Sequence, residues 1–132
     1  MTKSPTNARS YALHVKRIYE PARDSDGTRI LVDRLWPRGI AKENARIDLW
    51  LKDISPSTDL RKQFHGKPET WQQFRDAYFV ELKSPLAQAA ADILLEHLRQ
   101  GPVTLLYAAR DEQQNNAIAL RDWLQAQPKE FT

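Results

Sequence analysis

The chain has 132 residues, 41% of them hydrophobic and 28% charged, with four glycines; this is the balance of a globular domain, not of a disordered or fibrous chain. It contains no cysteine, which excludes disulfide frameworks, thiolate metal sites and cysteine nucleophiles together. Twenty Lys and Arg stand against seventeen Asp and Glu, for a net charge of +3, but the two signs are interspersed, so the bias toward anionic partners is mild and no basic stripe appears.

Residues 1–10 are polar and lack an apolar leader core, so they read as a disordered N-terminal tail, followed by one α/β domain over 11–127 and a C-terminal tail over 128–132. No stretch approaches the roughly 20 apolar residues of a membrane span, and a cytoplasmic protein without membrane contact is expected. Leu13–Tyr19 alternates apolar and polar positions, the signature of a half-buried strand ended by Pro21. Residues 22–27 have turn chemistry. Arg29–Arg34 is a compact apolar run that stops short of Pro37 and Gly39 and reads as a central strand.

Leu49–Ile54 is ambiguous between strand and helical turn, with strand slightly favoured. After the Ser55-Pro56-Ser57 breaker, Ser57 or Thr58 can cap a short helix through His65. Trp71, Phe74, Tyr78 and Leu82 recur at helical spacing and predict an amphipathic helix over about 69–83 with its aromatic stripe on the core. Pro85 opens another helix, in which Leu86, Ala89, Ala90, Ile93, Leu94, His97 and Leu98 line one face and Gly101 stands as the C-cap. Val103–Ala109 reads as a strand covered on both faces. Asp111 is then placed as the cap of a last helix, with Gln114 as its capping-box partner, Ala117, Leu120, Trp123 and Leu124 facing the sheet, and Pro128 beyond its end. Helices alternating with strands through short turns predict an α/β fold: a small, mainly parallel sheet of 3–4 strands flanked by helices.

In such sheets ligands bind outside the strand carboxyl ends. One end delivers Arg34, Trp36 and Arg38; the other delivers Tyr107, Asn115 and Asn116. Arg34 and Arg38 carry planar cationic forks suited to carboxylate or phosphate, and the N–H groups opening the last helix favour negative charge as well. The bland alternatives are that Arg34 pairs with Asp33 or Asp53, that Arg38 reaches solvent, and that Trp36 fills the core. Asn115 and Asn116 side by side oppose helix formation and suggest a local use, either ligand contact or a tie to the second-strand loop. Tyr107 and His65 are the weak catalytic candidates, with Asp59 or Glu81 as orienters of His65. No histidine has metal-ligand spacing to another, and no phosphate loop, nucleophile elbow or acidic metal cluster occurs, so neither metal nor cofactor is expected.

Three strings, Leu31–Gly39, Ser55–Arg61 with Phe64-His65, and Thr104–Ala109, resemble in order the YeaO-like bacterial proteins grouped as domain of unknown function family 488, over about residues 14–124. The resemblance implies a small bacterial α/β protein of unestablished biochemical function. Carried over by position, its motifs cover Asp33, Arg34, Trp36, Pro37, Arg38, Gly39, Lys52, Pro56, Ser57, Leu60, Arg61, Phe64, His65, Tyr107 and Asn115. Some members of the wider family carry a cysteine-containing motif that this chain lacks, so a thiol-dependent role is not implied.

The leading expectation is a binder of, or enzyme on, a small phosphate- or carboxylate-bearing ligand, with Arg34, Arg38, Lys52 and Arg61 neutralising the anion and Trp36, Tyr107, Asn115, Asn116 and His65 around it. A nucleic-acid-associated or regulatory module, with Arg on phosphate and Trp on a base, is the alternative; a protein-interaction role through exposed aromatics is the third.

Overall fold

The computed structural model describes residues 12–126; the expected N-terminal and C-terminal tails and Pro128 lie outside them. Four strands, β1 (Leu13–Arg17), β2 (Thr28–Leu31), β3 (Leu49–Trp50) and β4 (Val103–Tyr107), form one wholly parallel sheet in the order β1-β4-β2-β3. Among the described residues four α-helices accompany it: α1 (Thr58–Phe64), α2 (Trp71–Glu81), α3 (Pro85–Gln100) and α4 (Asn116–Gln125). The chain is therefore α/β. No helix among the described residues is long and apolar enough to cross a membrane.

The sheet's two faces are covered differently. Along β2 and its extension, Ile30 and Val32 join Val103, Leu105 and Tyr107 in a core with the buried faces of all four helices. Leu31 and Leu106, pointing the other way, pack with Ile18, Trp36, Ile40, Ile47 and Trp50. Strand alternation thus places the helices on one face, while the loop from Trp36 to Ile47 covers part of the other.

Several boundaries differ from expectation for local reasons. β1 and β2 end before Tyr19 and Asp33; the ladder extends only to Val32 N–H, which donates to the Leu106 carbonyl. Leu49–Ile54 divides into the two-residue β3 and a 3₁₀ turn over Lys52–Ile54. A 3₁₀ turn at Pro68–Thr70 delays α2 to Trp71. The inward face of α3 is Ala87, Ala90, Ala91, Leu94, Leu95 and Leu98; Leu86 and Ile93 are 67% and 47% exposed, because alanines on the inner stripe let the helix approach closely and turn these larger residues outward. Gly101 caps α3 in an extended conformation, φ 164°, not a left-handed one.

The largest correction concerns α4. Asp111 Oδ1 accepts from the Gln113 and Gln114 N–H groups and closes a local turn, whereas the helix begins after Asn115, whose Oδ1 accepts from Ile118 N–H at 2.9 Å. The connection from β4 therefore runs through 108–115 and is not a short turn. Both asparagines flank the helix start, where Asn is favoured, so their low interior propensity is no burden.

Candidate functional site

β2 and β4 are neighbours in the sheet, so their carboxyl ends bring two loops together, and Asp33 is the group on which they meet. Its Oδ1 accepts from Asn116 Nδ2 at 3.0 Å and its Oδ2 from the Ala108 N–H at 2.9 Å. Its carbonyl accepts from Trp50 Nε1 at 2.7 Å, and Asn116 Nδ2 also reaches the Val32 carbonyl at 3.0 Å. Burial pushes the Asp33 carboxyl above the ordinary carboxylate range; the bonds from Asn116 and Ala108 and the charge of Arg61 oppose that rise without cancelling it. Asn116 thus ties the second-strand loop to α4, one of the two roles its position suggested.

Arg34 pairs with neither Asp33 nor Asp53. Its Nε donates to the Pro56 carbonyl and its Nη2 to the Ser55 carbonyl, both at 3.2 Å, which leaves a half-buried guanidinium fixed in direction. Among the described residues, Arg34, Arg38, Lys52 and Arg61 form no ion pair. Below Arg34, the hydroxyl of the buried Tyr78 donates to the Ile54 carbonyl at 2.6 Å. Burial, then the nearby charges of Asp33 and Glu81, push that phenol far above its usual range, against the pull of Arg34. Glu81 is held by Ser57, whose N–H and Oγ donate to it at 2.8 and 2.6 Å; the same Oγ accepts from Leu60 N–H and caps α1.

The remaining candidates divide. Tyr107 is buried at the end of β4 beside the buried Asn115, and burial, helped by Glu112 and Glu20, raises its pKa despite Arg17 and Asn115, which moves it away from acid–base work near neutrality. Asn115 Nδ2 donates to the Asp111 carbonyl, so its amide is committed to the loop and the cap. Trp36 Nε1 donates to the Ile40 carbonyl at 2.6 Å, and its ring meets Trp50 edge-on at a 5.4 Å centroid separation; it is a core residue of the loop-covered face. Lys52 Nζ lies 4.1 Å from the Trp50 ring centroid and Lys42 Nζ 5.8 Å from that of Trp36. Arg38 is exposed and contributes its carbonyl to the Tyr19 hydroxyl. His65 is the exposed residue closing α1, and its expected orienter Glu81 is engaged by Ser57.

Asn116 and the charge of Arg61 therefore act on Asp33, and Arg34 follows it in the chain with its guanidinium turned to the Ser55 and Pro56 carbonyls, while no hydrogen bond or ion pair among the described residues joins the Arg38 or His65 side chain to Asp33. In the sequence Asp33 reads as a partner for Arg34 and as part of the family-like motifs, with no role of its own, and Tyr78 reads only as core. For Asp33 a signal existed: a carboxylate directly after a fully apolar run is carried inward with the strand end. For the Ser57–Glu81 bond, which joins α1 to α2, no local pattern is present.

The model of the family described as "Inactive DUF488-N3 subclade" matches residues 12–131. The chain is 46% identical over 114 residues to the uncharacterized protein YeaO of Escherichia coli (strain K12), covering 86% of this chain and 97% of that one. It is 37% identical over 116 residues to the uncharacterized protein Rv3073c of Mycobacterium tuberculosis (strain ATCC 25618 / H37Rv), covering 88% and 96% respectively. No solved structure matches. With near full-length relatives and a family match across the described fold, the chain belongs to the YeaO-like DUF488 family, in the subclade described as inactive DUF488-N3.

Proposed function

We propose that the protein binds a small phosphate- or carboxylate-bearing anion at the carboxyl ends of β2 and β4, through Arg34 and Arg61, without turning it over. The observation that carries this reading is Arg34. Two carbonyls hold its guanidinium half-buried, and it forms no ion pair among the described residues; a partly desolvated cation with unused N–H donors gains from an incoming anion. Arg61, whose charge already reaches Asp33, adds a second cation on an exposed side chain. The absence of turnover is supported by the family's description as inactive and by the raised pKa of Tyr107. Asn116, Trp36, Asn115 and Lys52 hold the frame in this reading.

Thermal-shift titration with inorganic phosphate and with succinate tests it. A ligand at a hundred times its Kd stabilises by about 2.7 kcal/mol, or about 10 °C in a domain of this size. Arg61→Gln removes a side chain that makes no hydrogen bond among the described residues, so it abolishes the shift while leaving the unliganded Tm near wild type. No stabilisation by either anion, or equal stabilisation of the variant, refutes the proposal. The nucleic-acid alternative needs a free Trp36 face for stacking, whereas the ring is partly buried against the second core, packs on Trp50 and has Lys42 Nζ over it at 5.8 Å; the proposal therefore expects no retention of single- or double-stranded DNA at low ionic strength.

A further inference from the structure

At the other end of β2, on the face without helices, lies a cleft of about 340 Å³ lined by Arg23, Asp24, Gly27, Arg29, Arg46 and Asp48 together with Ile47. Parallel sheets usually have both faces covered, and here only short loops approach the amino half of the second face. Its floor is Arg29, 5% exposed on a central strand. Arg29 Nη1 donates to Asp26 Oδ2 at 2.5 Å and its Nε to the Arg46 carbonyl at 2.7 Å. Asp26 also takes Lys16 Nζ at 3.0 and 3.1 Å and the Arg23 N–H at 3.0 Å.

One buried carboxylate therefore serves the buried Arg29 and the half-buried Lys16. The rest of the lining does not correct the imbalance: Arg23 and Arg46 stand against Asp24 and Asp48, and Asp48 Oδ2 is already accepting from the Arg29 N–H at 2.8 Å. Arg23 and Arg46 form no ion pair among the described residues, and Arg29 Nη2 has no protein partner there. Arg46 is held at φ 53°, the left-handed region, a conformation that costs an L-residue about 1 kcal/mol or more. That backbone geometry lets its carbonyl meet Arg29 and sets its side chain on the rim.

We infer that this cleft is a second binding site, independent of the one at the carboxyl ends, for a small molecule carrying a single carboxylate. The guanidinium fork matches a carboxylate in plane and spacing. A single surplus positive charge matches a monoanion, and Asp24 and Asp48 on the lining repel a second negative charge, which disfavours phosphate dianion.

Acetate is the probe, followed by amide and arginine Nε–H resonances on the full chain. Saturable shifts are expected at Gly27, Arg29 Nε and Asp48, with acetate binding tighter than inorganic phosphate. Arg46→Gly removes the rim cation while keeping a backbone that favours φ 53°, so the fold persists and acetate affinity falls about tenfold. Arg61→Gln leaves these shifts unchanged, which separates failure of this site from failure of the other. Absence of saturable shifts, phosphate binding tighter than acetate, or unaltered affinity in Arg46→Gly overturns the inference.

Discussion

Replacing Asn116 with alanine tests whether the junction between the second-strand loop and α4 carries the stability its geometry implies. The substitution deletes one neutral bond, to the Val32 carbonyl, and one charge-assisted bond, to Asp33 Oδ1, both 3.0 Å long. The first contributes about 1 kcal/mol and the second about 2 kcal/mol, with no propensity gain to offset them because Asn116 opens the helix. The net loss is about 3 kcal/mol, or about 12 °C in Tm. Its pH dependence has a definite sign. The folded pKa of Asp33 lies above its ordinary value of 3.8 because burial outweighs the donors around it. A raised acid gives its most favourable contribution below the unfolded pKa and loses it as pH rises through the folded one. Removing the Asn116 donor raises the folded pKa further, so the variant's deficit is larger near neutral pH than at about pH 4. Urea unfolding of both proteins at the two pH values measures this. A deficit under about 0.5 kcal/mol at neutral pH, or one that grows on acidification, refutes the assignment.

Four further substitutions have expected outcomes. Ser57→Ala removes the α1 cap and one bond to Glu81 and should cost about 2 kcal/mol in chemical denaturation; wild-type stability would show that the α1–α2 tie is dispensable. Gly27→Ala sets a methyl 2.2 Å from the Pro102 carbonyl oxygen at φ 66°, so the chain should fail to yield soluble folded protein, whereas Gly39→Ala, at φ 81° with open space around it, should cost only about 1 kcal/mol by thermal melt. Asp26→Asn leaves Lys16 and Arg29 without their shared carboxylate and should cost about 3–5 kcal/mol by urea unfolding; a cost below 1 kcal/mol would refute the account of that cluster.

The fold was legible where one face of an element is uniformly apolar. β4 is buried at every position and reads so, and the aromatic stripe of α2 packs as its spacing says. α3 shows the limit. Leu86 and Ile93 look like core and point outward, because the close approach of Ala87, Ala90 and Ala91 decides the helix rotation, and small residues carry little hydrophobic signal. α4 fails differently: Asp111 and Asn115 both satisfy the cap pattern, and both cap something. The site was half legible. The converging strand ends followed from parallel topology, but the partners of Arg34 are backbone carbonyls, which every residue has and no side-chain pattern marks.

Asp26 and Asp33 flank β2 at opposite ends, and their surroundings drive them in opposite directions. Burial raises both. At Asp26 the Arg23 N–H and the bonds from Lys16 and Arg29 reverse that rise, so its pKa is lowered; at Asp33 two neutral donors and a more distant Arg61 leave the pKa raised. A depressed acid contributes stability that is present above 3.8 and lost as pH falls through its folded pKa, the reverse of the Asp33 case. Acidification should therefore loosen the amino edge of the sheet while relieving the buried charge at the carboxyl edge. Amide hydrogen exchange, corrected for its intrinsic pH dependence, reads the two ends separately. On going from neutral pH to about pH 4, protection should fall at Asp26 and Thr28, whose N–H groups donate to the Arg23 and Pro102 carbonyls, and should hold or rise at Val32 and Ala108. If both ends change together, the strand responds as one cooperative unit and the two carboxylates do not act locally.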